Sequence, residues 1–127
     1  MELAKNVNQI KHPVIKNILK TYYKQKTGIE LNHFADIPGL SGLGSSSAFT
    51  VTMINLIHKF NGINLSKKDT ARLAINFEQN ILKEHVGSQD QVATAYGGFN
   101  CIDFYTKEFI VNSIKFKKQK IQLFENN

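Results

Sequence analysis

Ile37-Pro38-Gly39-Leu40-Ser41-Gly42-Leu43-Gly44-Ser45-Ser46-Ser47 joins two segments of opposite periodicity, and its reading decides the fold. Ahead of it, Ile29-Glu30-Leu31-Asn32-His33-Phe34 alternates apolar and polar side chains, the period of a half-buried strand. Behind it, Phe49, Met53, Leu56, Ile57 and Phe60 recur at three- and four-residue steps, one face of a helix. A glycine-rich turn therefore leads into a helix that opens on three serines. The first N–H groups of a helix lack partners within it, and its aligned peptide dipoles leave about half a positive charge at that end. Glycines let the backbone adopt positive φ and remove the Cβ atoms that would hold a phosphate away. Serine hydroxyls add donors for phosphate oxygens or an oxygen ligand for Mg2+. A triphosphate suits such a site, although on composition alone a capped helix after a flexible turn stays open.

Two common nucleotide motifs fail here. A Walker loop needs Lys after its last glycine, and Ser45 follows Gly44. A dinucleotide fingerprint needs Gly or Ala at Ser47 and an acidic residue about twenty positions on, where Asn64-Leu65-Ser66 stands. The string Pro38 to Ser47 instead resembles the P-x-x-x-G-L-G-S-S-[AS] phosphate loop of the GHMP kinases, a family of small-molecule kinases. That resemblance implies ATP and Mg2+ as cofactors. It assigns nucleotide binding to Gly42, Leu43, Gly44, Ser45, Ser46 and Ser47, and gives Ser46 to Mg2+.

Two carboxylates extend the resemblance. Glu78 follows Phe77 at the margin of a predicted helix stripe, where an ordinary solvated glutamate is the plain reading. Asp90 lies in the loop Gly87-Ser88-Gln89-Asp90-Gln91 and could simply cap a helical piece that begins at Gln91. GHMP kinases carry a Mg2+-binding glutamate on this helix and, at close to this interval, an aspartate beside the acceptor hydroxyl. The resemblance thus implies Glu78 as a second metal ligand and Asp90 as the catalytic carboxylate. Phosphoryl transfer depends mostly on positioning and charge neutralisation, which leaves the role of Asp90 as a true base open. Val86 to Asn100, with Gly-x-Gln-Asp-Gln and Gly97-Gly98-Phe99-Asn100, looks like the sugar-kinase branch that includes kinases of D-glycero-D-manno-heptose 7-phosphate and, among related members, of fucose. Ile10-Lys11-His12-Pro13 and Phe34-Ala35-Asp36-Ile37-Pro38 look like the same branch. The implied substrate is a sugar or sugar phosphate.

The remaining chain reads as an α+β domain. Pro13 opens a helix with an apolar stripe of Val14, Ile15, Ile18, Leu19 and Tyr22, and Thr27-Gly28 stops it. The serine-led helix runs to Phe60 and ends at Asn61-Gly62. Ser66 caps a third helix that continues to about Leu82 through Leu73, Ala74, Phe77 and Ile81. A short apolar piece follows from Val92 to Tyr96. Phe99–Phe104 and Phe109–Phe116 pair as a hairpin across Tyr105 to Glu108, and Lys117 to Asn127 frays or extends a strand. Helices on one side of a mainly antiparallel sheet are expected, the arrangement of the GHMP N-terminal domain and of its relative in ribosomal protein S five.

Size and charge narrow the alternatives. With 127 residues and 42% apolar content the chain suits one folded domain. Residues 1–127 resemble part of a GHMP N-terminal domain, without the first strands and the second domain of that family, so weak or absent activity alone is expected. Lysine and arginine outnumber acids 16 to 10, and Arg72 is the only arginine. Spread lysines without clustered arginine argue against a nucleic-acid reader and for mild attraction of phosphorylated ligands. A basic RNA-associated domain and a non-catalytic nucleotide-binding module completed by a partner chain remain the competing readings. No apolar run spans a membrane and no hydrophobic leader opens the sequence, which points to the cytoplasm. Cys101 is expected to fill a strand as a small buried apolar group, and the four histidines show no metal-ligand spacing. An unpaired sheet edge should invite self-association.

Overall fold

The computed structural model describes residues 2–36, 42–106 and 108–115. They form two compact units, Met1–Tyr96 and Gly97–Asn127. The first holds four helices: α1 (Pro13–Tyr22), α2 (Ser45–Phe60), α3 (Lys67–Asn76) and α4 (Gln89–Tyr96). A short 3-10 turn at Val7–Gln9 precedes them, and a π-helical turn at Phe77–Ile81 extends α3. The second holds an antiparallel hairpin of β1 (Asn100–Phe104) and β2 (Phe109–Ser113). The fold class is α+β.

Helix α2 organises the first unit, because α1, α3 and α4 all pack on it. The core gathers Val14 and Ile18 from α1, Val51, Met53, Ile54 and Ile57 from α2, and Ala74 and Phe77 from the third helical segment. Ile18, Ile54 and Phe77 are wholly buried. Each such side chain stabilises the fold by about 1.5–3 kcal/mol relative to exposure. Being covered on several sides changes the face that α2 buries. Leu56 and Phe60, expected in the stripe, are 45% and 55% exposed, while Thr50, Val51 and Ile54 are buried in their place.

Local signals set most helix ends. Ser66 caps α3 by accepting the Asp69 amide N–H at 3.0 Å, and its own hydroxyl donates to Asp69 Oδ2 at 2.5 Å. After α2, Gly62 takes φ 79°, and the Ile63 N–H returns to the His58 carbonyl at 2.8 Å. Helix α1 ends at Tyr22, short of the expected Thr27-Gly28, because Tyr23 turns to extended backbone. The Tyr23 hydroxyl then donates to the Thr27 carbonyl at 2.7 Å, and the Asn61 side-chain amide to the Tyr22 carbonyl at 2.6 Å.

The strand expected at Ile29–Phe34 does not form. A strand exists by pairing its backbone, and among the described residues no backbone hydrogen bond joins this segment to another. Phe34 is 92% exposed. The hairpin does form, with Asn100 opposite Ser113 and Phe104 opposite Phe109. Its loop is closed by the Tyr105 N–H on the Glu108 carbonyl at 2.8 Å. Strand β2 stops at Ser113, and Phe116 to Asn127 lie outside the described residues. Cys101 is exposed instead of buried, since it points to the outer face of β1 while its neighbour Ile102 is half-buried. Among the described residues no helix is long and apolar enough to cross a membrane.

Candidate functional site

Three segments of the first unit converge on one cavity of about 400 Å3. The first is the entrance to α2. Gly42 and Gly44 lie in the left-handed region at φ 74° and 72°, and Gly44 occupies the cap position without a side-chain hydrogen bond. Intrahelical bonding begins only when the Ala48 N–H reaches the Gly44 carbonyl at 2.9 Å. The amides of Ser45, Ser46 and Ser47 therefore precede the first such bond, at the positive end of the helix. Gly42, Gly44 and the three serines line the cavity. Leu43 is 72% exposed and is not among the lining residues. Ile37 to Ser41, the first half of the expected loop, lie outside the described residues.

The second segment is the π turn. Its extra residue per turn is marked by the Leu82 N–H bonding the Phe77 carbonyl at 2.9 Å. Here Phe77 is 0% and Glu78 1% exposed, so the glutamate expected at the edge of the stripe is buried. Its Oε2 accepts from the Ser47 hydroxyl at 3.1 Å and from the Gln91 side-chain amide. Its Oε1 is buried and has no hydrogen-bond partner among the described residues.

The third segment is the first turn of α4. The helix begins at Gln89, so Asp90 lies inside it and does not cap a piece starting at Gln91. Asp90 faces the α2 entrance closely: a Cβ on Gly44 would sit 3.3 Å from both Cγ and Oδ2 of Asp90. The next side chain, Gln91, turns inward, is 1% exposed, and reaches Glu78. Asp90 and Glu84 complete a lining with three carboxylates, counting Glu78, and no lysine or arginine among the described residues.

Ser46, Glu78 and Asp90 thus border one cavity. Ser47, the next serine along, holds the hydrogen bond to Glu78, while Ser46 is exposed to the cavity side. Sequence reasoning passed over Gln91 and Glu84. The signal for Gln91 was present in Gln89-Asp90-Gln91, where only the aspartate drew notice. A divalent cation fits this donor set. One buried carboxylate oxygen stands without a partner among the described residues, and a buried charge is expensive unless paired or coordinated. No cluster of three His, Cys, Asp or Glu side chains forms a protein-only cage among the described residues. Mg2+ rarely needs one, because it is commonly held by one or two carboxylates together with phosphate oxygens.

Comparison with known proteins shows the family of the chain. Residues 7–98 match the family model for the GHMP kinases N terminal domain. The chain is 34% identical over 105 residues to the D-glycero-alpha-D-manno-heptose 7-phosphate kinase of Campylobacter jejuni, covering 82% of this chain and 31% of that protein. It is 30% identical over 117 residues to the galactokinase of Thermosipho africanus, covering 90% of this chain and 33% of that protein. Among solved structures, a D-glycero-D-manno-heptose 1-phosphate kinase from Bacteriodes thetaiotaomicron superposes with a TM-score of 0.75 at 32% identity. That superposition covers 87% of this chain and 36% of the other. The chain spans about a third of the length of these relatives.

Proposed function

The chain belongs to the GHMP kinase family, and from that premise we propose that it forms the phosphate-binding part of an ATP-dependent sugar kinase. In this reading residues 1–127 belong to the N-terminal, ATP-binding domain, and the acceptor is a sugar or sugar phosphate. The anomeric hydroxyl of D-glycero-D-manno-heptose 7-phosphate is the specific acceptor proposed, on the similarity to two heptose phosphate kinases. The observation that carries the reading is the convergence of the α2 amides, the buried Glu78 carboxylate and Asp90 on one cavity.

Each residue then has a task. Gly42, Leu43 and Gly44 shape the turn, and the amides of Ser45, Ser46 and Ser47 bind phosphate oxygens. Ser46 and Glu78 would hold Mg2+, which supplies positive charge to the phosphate chain. That charge matters here, because three carboxylates line the cavity and no basic side chain does among the described residues. Asp90 orients the attacking hydroxyl and accepts its proton. The hydroxyl oxygen bonds to the γ-phosphorus, the bond from that phosphorus to the bridging oxygen breaks, and ADP leaves with the electron pair. Holding the hydroxyl requires opposing walls, and good orientation is worth up to about 7–11 kcal/mol.

Binding of ATP with and without Mg2+ tests the assignment in wild type, Ser46→Ala and Glu78→Gln. Both variants should lose the Mg2+-dependent gain in affinity. Retention of wild-type Mg2+ dependence in both refutes the metal site. A coupled kinase assay with heptose 7-phosphate tests the rest, and turnover in the ordinary kinase range of about 1–100 s⁻¹ would show the chain sufficient by itself.

A further inference from the structure

Gln91 is among the largest wholly buried side chains of the protein, and it is polar. Its Nε2 donates to Glu78 Oε2, and its own Oε1 is buried without a partner among the described residues. The orientation of the amide follows from chemistry. Turning it over would set the Gln91 oxygen against a carboxylate oxygen, acceptor against acceptor. Ser47 donates to the same Oε2 from the opposite segment, at 3.1 Å. Two donors thus hold one oxygen of Glu78 and leave Oε1 unbonded. Leaving two buried acceptors unpaired in one place, Glu78 Oε1 and Gln91 Oε1, is unfavourable unless something bound supplies positive charge or donors there.

We propose that Gln91 is the positioning residue for the cation: it fixes the Glu78 carboxylate so that Oε1 is presented to a divalent ion in the cavity. The inference rests on the nucleotide-binding reading above and adds to it a residue that acts through Glu78. Partners that orient a metal ligand in this way typically set metal affinity by 10–100-fold. Asp90 and Gln91 are then successive residues with separate tasks, one facing Gly44 and the other Glu78.

The test uses the full 127-residue chain and Mn2+ as a spectroscopic stand-in for Mg2+. Free Mn2+ is measured by electron paramagnetic resonance in the presence of saturating ATP, and ATP affinity is measured separately in chelator. Gln91→Met keeps the length and volume of the side chain but removes the donor. It should weaken Mn2+ binding by about 10–100-fold and leave metal-free ATP affinity unchanged. If Gln91→Met does not fold, Gln91→Asn serves, since its shorter reach also breaks the contact while keeping a polar group. Wild-type Mn2+ affinity in the folded variant overturns the proposal, as does an equal loss of metal-free and metal-dependent binding, which marks a merely structural role. Absence of Mn2+ and ATP binding in wild type itself would overturn the underlying functional reading, and is distinguishable because no variant is then needed to see it.

Discussion

Gly42 and Gly44 share a backbone conformation and differ in what surrounds them, which makes them a matched pair. An added Cβ at Gly42 meets nothing within 4 Å among the described residues, whereas at Gly44 it lies 3.3 Å from Cγ and Oδ2 of Asp90 and 3.5 Å from its Cβ. Alanine in the left-handed region costs about 1–2 kcal/mol. Its stiffer unfolded chain returns about 0.4–1 kcal/mol of that. Gly42→Ala should therefore destabilise by about 1 kcal/mol. Gly44→Ala carries the same strain plus an overpacked contact of about 1–3 kcal/mol, for a total of about 2–4 kcal/mol. The measurement is the urea midpoint followed by circular dichroism, where a slope of about 1–3 kcal/mol per molar separates the two variants clearly. Adding Asp90→Ala to Gly44→Ala removes the two nearest atoms and should bring the stability back to the level of Gly42→Ala. Equal midpoints for the two glycine variants, or no recovery in the double variant, would refute the close approach of α4 to the α2 entrance.

Three further outcomes are expected. Phe77→Ala, at a wholly buried position, should cost about 3–5 kcal/mol in the same assay; a loss under 1 kcal/mol would place Phe77 outside the core. Burial raises the Tyr22 hydroxyl above its ordinary pKa of 10.0, beside His58 at 4.9 Å and Phe77 at 6.2 Å between ring centroids. The unfolded chain then ionises first, so the contribution is fully present below pH 10 and is lost as pH rises through the folded value. Tyr22→Phe should flatten the decline in stability above pH 10, and an unchanged profile would contradict it. Finally, a two-stranded hairpin with Ile110 45% and Phe104 44% exposed should pair with other chains. Sedimentation is expected to show species heavier than 14.4 kDa that dissociate on dilution, and a strict monomer at high concentration would rule this out.

Features that depend on neighbours in sequence were legible in the sequence. The start of α2 after Gly44, its stop at Asn61-Gly62, the Ser66 cap and the hairpin across Tyr105 to Glu108 all follow from residues within a few positions of each other. Features that depend on distant partners were not. Alternation at Ile29–Phe34 records a preference for pairing, and the preference is unmet among the described residues. The face of α2 was misjudged at Leu56 and Phe60 because three helices, not one, decide which side is covered. Gln91 escaped notice because its meaning lies in a contact with Glu78 across thirteen positions. The π turn at Phe77–Ile81, on which Glu78 sits, leaves no trace in a search for a 3.6-residue period.

That π turn links the core to the chemistry. Phe77 is locked into the core, and its immediate neighbour Glu78, in the same turn, is buried as well. The carboxylate is consequently held by packing on one side and by Ser47 and Gln91 on the other, without relying on a mobile loop. Successive residues of α4 diverge by about 100°, so one short helix can place Asp90 against the α2 entrance and Gln91 against the π turn. The cavity between them is polarised, with the amide end of α2 at one wall and the Glu78, Glu84 and Asp90 carboxylates among the others. A polyphosphate carrying its own divalent cation satisfies both kinds of wall, whereas a bare anion meets repulsion from three carboxylates. On that ground the proposed site should discriminate for the metal-chelated nucleotide over the free one, and ATP affinity that ignored the metal would remove the physical basis for placing a kinase function here.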